Sequence, residues 1–219
     1  MHSLGEARKT KPLQWGHIPP GRLPMIATAA LPKRYSLDEY RLLEESAEVR
    51  HEFHDGEVVP MTGGTVDHAA IISSLMYLFN ACLKGTGFRV YGGELRVWIP
   101  EHNRGVYPDL SVFKGRPVLN GGRRDEVLNP CLLVEVLSSS TEAFDRGTKF
   151  RFYRSLPSFQ DYVLVSQTEP LIEHYHRDET ERWSYMTYQG LEASLVLPMG
   201  NGDIPLAEVY QGIEFTEAL

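Results

Sequence analysis

The stretch "NPCLLVEVLSSSTEAFDRGTKFRFYRSL", residues 129–156, decides the fold. Leu132, Leu133, Val134, Val136 and Leu137 make an apolar run of strand length, followed by "SSST" as a loop and helix cap. A helix is predicted from about Thr141 to Ser155, stopping ahead of Pro157. One residue is out of place, because Glu135 lies in the middle of the strand. An unpaired buried carboxylate costs several kcal/mol or takes up a proton. Either Glu135 faces solvent while Val134 and Val136 point into the core, or it has a partner.

Upstream, "VYPDLSVFKG" (106–115) holds a second such acid, Asp109, directly after Pro108. Two acids on adjacent strands, side by side, can share one divalent cation. Mg²⁺ suits them, with Mn²⁺ as an alternative, because it prefers hard oxygen ligands and takes one or two protein carboxylates along with phosphate and water. The backbone carbonyl of Val136 can add a further ligand. A metal so held would polarise a phosphodiester and help to activate water.

Outward from this pair, residues 1–32 hold five of the 14 prolines and no amphipathic period, and read as a flexible leader. Residues 33–219 read as one domain. Ser36 and Glu39 form the signature of a capping box, opening a helix with Leu37, Tyr40 and Leu43 on one face. "HEFHDGEVVPM" is predicted to be a hairpin around Asp55-Gly56. A helix apolar on most sides follows from about Asp67 to Lys84, closed by Gly85, and is expected to be buried against a sheet.

Strands are predicted at 88–99, 106–115, 131–138 and 160–167. The connection containing "NGGRRDE" looks too polar to pack. Further strands, "LIEHYHRD", "RWSYMTYQG" and "ASLVLP", make a strand-rich tail. The core order is helix, strand, strand, strand, helix, strand, which is a mixed α/β domain, an α+β arrangement with a mixed sheet.

Composition narrows the function classes. No apolar run reaches the roughly 20 residues that span a bilayer, and the N-terminus lacks the apolar core of a signal peptide. Cys82 and Cys131 both sit in apolar runs and read as small core residues, so a reducing, cytoplasmic setting without membrane association is expected. The net charge of −7 hides an asymmetry. Residues 84–154 carry 12 basic and 8 acidic side chains, whereas residues 155–219 carry 2 and 11. A basic middle section is compatible with phosphate contacts. No dinucleotide or nucleotide-binding loop and no nucleophile elbow occurs. The histidines of "EHYHRD" alternate at strand spacing with no zinc-motif partner beside them in sequence.

"YPDLSVF…LLVEVLSSSTEAFDRGTKFRFYRSLPSFQDYVLV" resembles the PD-(D/E)XK nuclease superfamily, and within it the restriction-endonuclease-like family called Uma-two. The likeness extends upstream to "YSLDEYRLLEESAEVRHEFHDGEVVPMTGGTVDHAAII" and downstream to "PLAEVYQGIEF". It implies a restriction-endonuclease-like core, endonuclease action on DNA, and a homodimer. Asp109 and Glu135 match the two acids of the pattern. Leu137 stands where the superfamily has lysine, and in the resembling family a lysine from the next helix takes that role, which falls on Lys149. Glu57 matches a recurrent acid of the early hairpin and His68 a recurrent histidine at the start of the long helix. Two other readings stay open: a non-catalytic nucleic-acid-binding or protein-interaction module that keeps the fold, and a hydrolase of smaller phosphoesters.

Overall fold

The computed structural model describes residues 33–61 and 63–215, so the expected leader over 1–32 lies outside the described residues. The chain runs through helix α1 (Leu37–Ser46), hairpin strands β1 (His51–His54) and β2 (Glu57–Pro60), and the long helix α2 (Val66–Cys82). Strands β3 (Phe88–Gly92), β4 (Arg96–Ile99), β5 (Arg104–Val106), β6 (Leu110–Lys114), β7 (Glu126–Val127) and β8 (Leu132–Val136) come next. A helical run then comprises α3 (Glu142–Phe144), a π-helical turn (Asp145–Lys149) and α4 (Phe150–Tyr153). The rest is β9 (Asp161–Val165), β10 (Leu171–Arg177), β11 (Trp183–Gln189), β12 (Ser194–Val196), β13 (Asp203–Pro205) and α5 (Leu206–Val209).

Local signals act as the sequence predicts at the N-terminal side. Ser36 Oγ accepts the Glu39 N–H at 3.2 Å, and Glu39 accepts the Ser36 N–H in return at 2.7 Å, which closes the capping box. Asp55 and Gly56 adopt φ of 49° and 96°, the positive values that a two-residue hairpin turn requires. The mixed α/β architecture holds as well. A six-stranded sheet has the order β11-β10-β9-β8-β6-β3, with β8 and β9 parallel and its other neighbours antiparallel. A second sheet has the order β2-β1-β5-β4-β7, and β12 pairs with β13.

The strands expected at 88–99 and 106–115 each break in two. β3 pairs with β6 in the large sheet, while β4 pairs with β5 in the second one. The two expected strands are therefore one long hairpin that changes sheets part-way along. Pro108 interrupts one arm because it has no N–H for a ladder. Gly93 allows the bend of the other, since a Cβ there would sit 3.3 Å from the Pro108 carbonyl oxygen. Asp109 sits at this bend.

Both faces of the large sheet are covered. Leu132, Val134, Val136, Val163 and Val165 pack under α2 through Ile71, Leu75 and Phe79. The alternate residues Leu133, Tyr162 and Leu164 pack with Phe152, Tyr153 and Phe159 and with Val97 and Ile99 of the second sheet. Glu135 shares that second face by alternation, so the solvent-facing alternative for it is excluded; it is 5% exposed. Helix α2 is buried against the sheet as expected, through one face, and its outer side leaves Val66 and Tyr77 exposed.

The "NGGRRDE" connection stays largely exposed, as expected, but its last residue, Glu126, is buried. Arg96 is fully buried, and its guanidinium explains why. Its Nε donates to Glu126 Oε2 at 2.9 Å, its Nη2 to Asp125 Oδ2 at 2.9 Å, and its Nη1 to the hydroxyls of Tyr40 and Tyr107 at 3.1 Å each. One side chain thus ties α1, β4, β7 and the segment leading to Asp109. Arg96→Ala removes one of the two cations on buried Glu126, Arg41 being the other, along with the bonds to Tyr40 and Tyr107, and is expected to cost about 3 kcal/mol in urea unfolding; a loss below about 1 kcal/mol would mean that the cluster does not hold these elements together.

Candidate active site

The carboxyl-terminal end of β8 and the bend before β6 open into a cleft of about 400 Å³. Asp109, Glu135, Val136, His68 and Lys149 all line it, together with Glu52, Tyr107, Phe144 and Asp145. Glu57 does not. It lies exposed at the turn end of β2, whereas Glu52, on β1 of the same hairpin, reaches the cleft. Glu52 Oε1 accepts the Tyr107 N–H at 3.3 Å, and its Oε2 lies 2.8 Å from His54 Nε2. Alternation about buried Phe53 would have pointed to Glu52, since residues either side of it must face away from the α1 cluster. Glu94, in the turn between β3 and β4, is exposed and pairs with Arg50 at 3.0 Å, away from the cleft lining.

Backbone geometry places the acids. The antiparallel register of β6 and β8 pairs Leu110 with Val134, so Asp109 falls beside Glu135 one step further on. Asp109 Oδ2 accepts the Val136 N–H at 2.7 Å, which fixes its carboxylate at the end of β8. On the other side, Thr65 caps α2 by accepting the His68 N–H at 3.1 Å. Thr65 also donates to Gln167, whose amide donates to the Leu137 carbonyl at 2.7 Å. This chain of bonds holds the start of α2 against β8 and sets His68 Nε2 3.5 Å from Asp109 Oδ2. Gly64 is required here, because a Cβ would meet the His68 ring nitrogen at 2.6 Å.

The helical run supplies the cation. Its π-helical turn carries Asp145 and Lys149 inward, both buried, and Lys149 Nζ reaches Glu135 Oε1 at 2.8 Å and Asp145 Oδ1 at 3.5 Å. Tyr153 donates its hydroxyl to the same Glu135 oxygen at 2.7 Å. Leu137, at the superfamily's usual lysine position, is instead a core residue packed with Phe152 and Tyr153. The structure therefore brings Lys149 to the place that Leu137 leaves without a charge.

Electrostatics follow from crowding. Burial is the main force raising the Glu135 pKa; the Lys149 ammonium opposes it, while Asp145 and Asp109 add to it. Burial works against the Lys149 ammonium, but Glu135, Glu52 and Asp145 together hold its pKa above the ordinary lysine value. Asp109 raises the His68 pKa through its hydrogen bond and charge, against partial burial.

Four carboxylates, Glu52, Asp109, Glu135 and Asp145, thus face one ammonium and one imidazole. Among the described residues, hydrogen bonds engage Asp109 Oδ2 and Glu135 Oε1, leaving Asp109 Oδ1 and Glu135 Oε2 as oxygens a cation can take. An excess of carboxylates with free oxygens at an open cleft fits a hard divalent ion.

A mixed sheet covered on both faces, with paired acids and a lysine at the end of two central strands, defines a protein of the restriction-endonuclease-like class. The chain belongs to the Uma2 family, described as "Putative restriction endonuclease", which it matches over residues 37–206. Two uncharacterized proteins of Synechocystis are similar to it. One, slr1290, is 35% identical over 86% of this chain and 97% of its own length. The other, sll1609, is 31% identical over 78% of this chain and 96% of its own. In fold the chain is similar to a crystal structure of a "putative nuclease belonging to DUF820" from Anabaena variabilis, with a TM-score of 0.64 at 18% identity, covering 80% of this chain and 97% of that one. Family and fold together support a nuclease function.

The raised Glu135 pKa carries a stability signature. Glu135 stabilises the fold fully below the unfolded carboxylate value of about 4.3, and that contribution is lost as pH rises through the raised native pKa. In EDTA, unfolding free energy should therefore fall by up to about 1 kcal/mol per pH unit between a pH of about 4.3 and the raised native value, and Glu135→Gln should flatten that slope. Urea titrations at pH 5 and pH 8 measure it; an unchanged slope in the variant would reject the burial argument.

Proposed function

We propose that the protein is a metal-dependent endonuclease that hydrolyses DNA phosphodiester bonds in the cytoplasm. The observation that carries the reading is the convergence of Asp109, Glu135 and Lys149 in one open cleft. Asp109 and Glu135 would hold Mg²⁺ or Mn²⁺, with the Val136 carbonyl as a further oxygen ligand. When bound, that ion supplies polarisation of the scissile phosphate and activation of the attacking water.

The chain's own residues supply the rest. Lys149, kept charged by three carboxylates, stabilises negative charge as it builds on the phosphate. Asp145 and Tyr153 are positioning residues, the first for the Lys149 ammonium and the second for the Glu135 carboxylate. His68, protonated more readily beside Asp109, can give a proton to the departing oxygen. Glu52 takes the auxiliary acid role that the sequence suggested for Glu57. Lys84, Arg89, Arg116 and Arg124 line grooves along edge strand β3, and among the described residues no salt bridge engages them, which supports a polyanionic substrate. The same feature weighs against a small phosphoester substrate.

Plasmid cleavage in Mg²⁺ or Mn²⁺ tests the proposal, with bis(p-nitrophenyl) phosphate as the small-substrate arm. Asp109→Ala, Glu135→Ala and Lys149→Ala should each lower the plasmid rate by at least about 100-fold, while Glu57→Ala stays within about twofold of wild type. Cleavage that survives all three substitutions would overturn the reading, as would activity confined to the small ester.

No helix among the described residues is long and apolar enough to cross a membrane. Cutting both strands calls for two such clefts, so a homodimer is part of the proposal. Sedimentation of the wild type should give twice the mass of the 24.8 kDa chain; a monomer that only nicks one strand would remove this part.

A further inference from the structure

A second group of ligating side chains lies away from the cleft. Asp161 opens β9, and His174 and His176 alternate along β10. The antiparallel register sets His176 opposite Asp161 and His174 opposite Val163, so all three side chains share one face. Asp161 and His174 are fully buried, and His176 keeps 26% of its side chain exposed. His174 Nε2 lies 2.8 Å and His176 Nδ1 2.7 Å from Asp161 Oδ1. The ligating atoms of all three residues lie within 4.8 Å of one another.

Hydrogen bonding alone accounts poorly for this cluster. Both imidazoles converge on one carboxylate oxygen, while Asp161 Oδ2, equally buried, has no partner among the described residues. A buried carboxylate oxygen left bare is costly. A cation between the rings and the carboxylate would engage the second oxygen as well as the first. His174 Nδ1 is also without a partner among the described residues, with or without such an ion, and weighs on neither side.

We propose that Asp161, His174 and His176 bind one divalent transition-metal ion, for which Zn²⁺ is the representative. Two imidazoles with one carboxylate suit such a borderline ion, whereas Mg²⁺ wants oxygen ligands throughout. Partly exposed His176 gives the ion its route in and leaves room for a water ligand. The site is separate from the cleft. Leu132 pairs with Asp161 and Glu135 with Leu164, so the two acids differ by three residues along the strands, roughly 10 Å. They also point to opposite faces of the sheet. The ion clamps β9 to β10 and serves stability, independently of any nuclease reaction.

The full untagged chain, stripped with EDTA, is titrated with Zn²⁺ against a chromophoric chelator, and with Co²⁺ to read visible absorption. The Asp109→Ala/Glu135→Ala double variant isolates this site from the cleft. We expect it to bind one Zn²⁺ per chain, to melt at a higher temperature with Zn²⁺ than without, and to develop a cobalt spectrum. Adding His176→Ala, a change at a partly exposed residue that circular dichroism can verify as folded, should weaken Zn²⁺ binding at least about tenfold and abolish the spectrum. A double variant that binds no Zn²⁺, or a His176→Ala form that binds it equally well, would overturn the proposal and leave a purely hydrogen-bonded cluster.

Discussion

A carboxylate on a strand covered on both faces must be matched by positive charge or lose its own, and Glu135 is poised between the two, with Lys149 Nζ at 2.8 Å favouring its charge and burial pushing its pKa up. Much of the architecture around the cleft follows from that pairing. The ammonium comes from a helical run that has to cross the end of β8, and it reaches inward because the π-helical turn directs Asp145 and Lys149 toward the sheet. Phe152 and Tyr153, just beyond the turn, pack into the aromatic and aliphatic core beneath it, and Tyr153 spends its hydroxyl on Glu135. The same residues therefore anchor the helix and satisfy the buried charge.

The second acid depends on a different constraint. One hairpin serves two sheets, and at the crossing point Asp109 leaves regular pairing next to the end of β8. Pro108 breaks the ladder on one arm and Gly93 permits the close approach of the other. Asp109 is locked there by the Val136 N–H. Arg96 stabilises the region from behind, since its bond to the Tyr107 hydroxyl fixes the segment two residues before Asp109. A buried ionic cluster and the cleft are thus neighbours along the chain, with the rigid side made of Arg96, Glu126 and Tyr40.

What was legible in the sequence follows from how local each signal is. The capping box, the Asp55-Gly56 turn and the long helix are set by residues within a few positions of one another, and each forms where predicted. Asp109, Glu135 and Lys149 were legible as candidates through spaced motifs, and the cleft joins them. The sheet change was not, because an unbroken apolar pattern such as "FRVYGGELRVWI" carries no mark of which sheet each half enters. Nothing local marks Arg96 for burial either, because its partners Glu126 and Tyr40 are distant in sequence. Glu52 and Glu57 share a hairpin face, and only depth along the strands separates them. The Asp161 cluster escaped a spacing test because its carboxylate lies on another strand from the two histidines.

Moving the positive charge from position 137 to position 149 changes what controls it. A lysine on β8 would be held by the sheet ladder itself, as rigid as the acid two residues before it. Lys149 is held by helix packing and by ion pairs to Glu135 and Asp145, so its position depends on the contacts of Phe150 with Tyr162 and Tyr175 and of Tyr153 with Phe159. Leu137 completes the exchange by filling the core where a lysine would have needed a carboxylate. In this arrangement loss of aromatic packing under the helix displaces the ammonium and leaves Glu135 buried without its cation. Core packing and site electrostatics are consequently one property here, and a change in either is felt in the other.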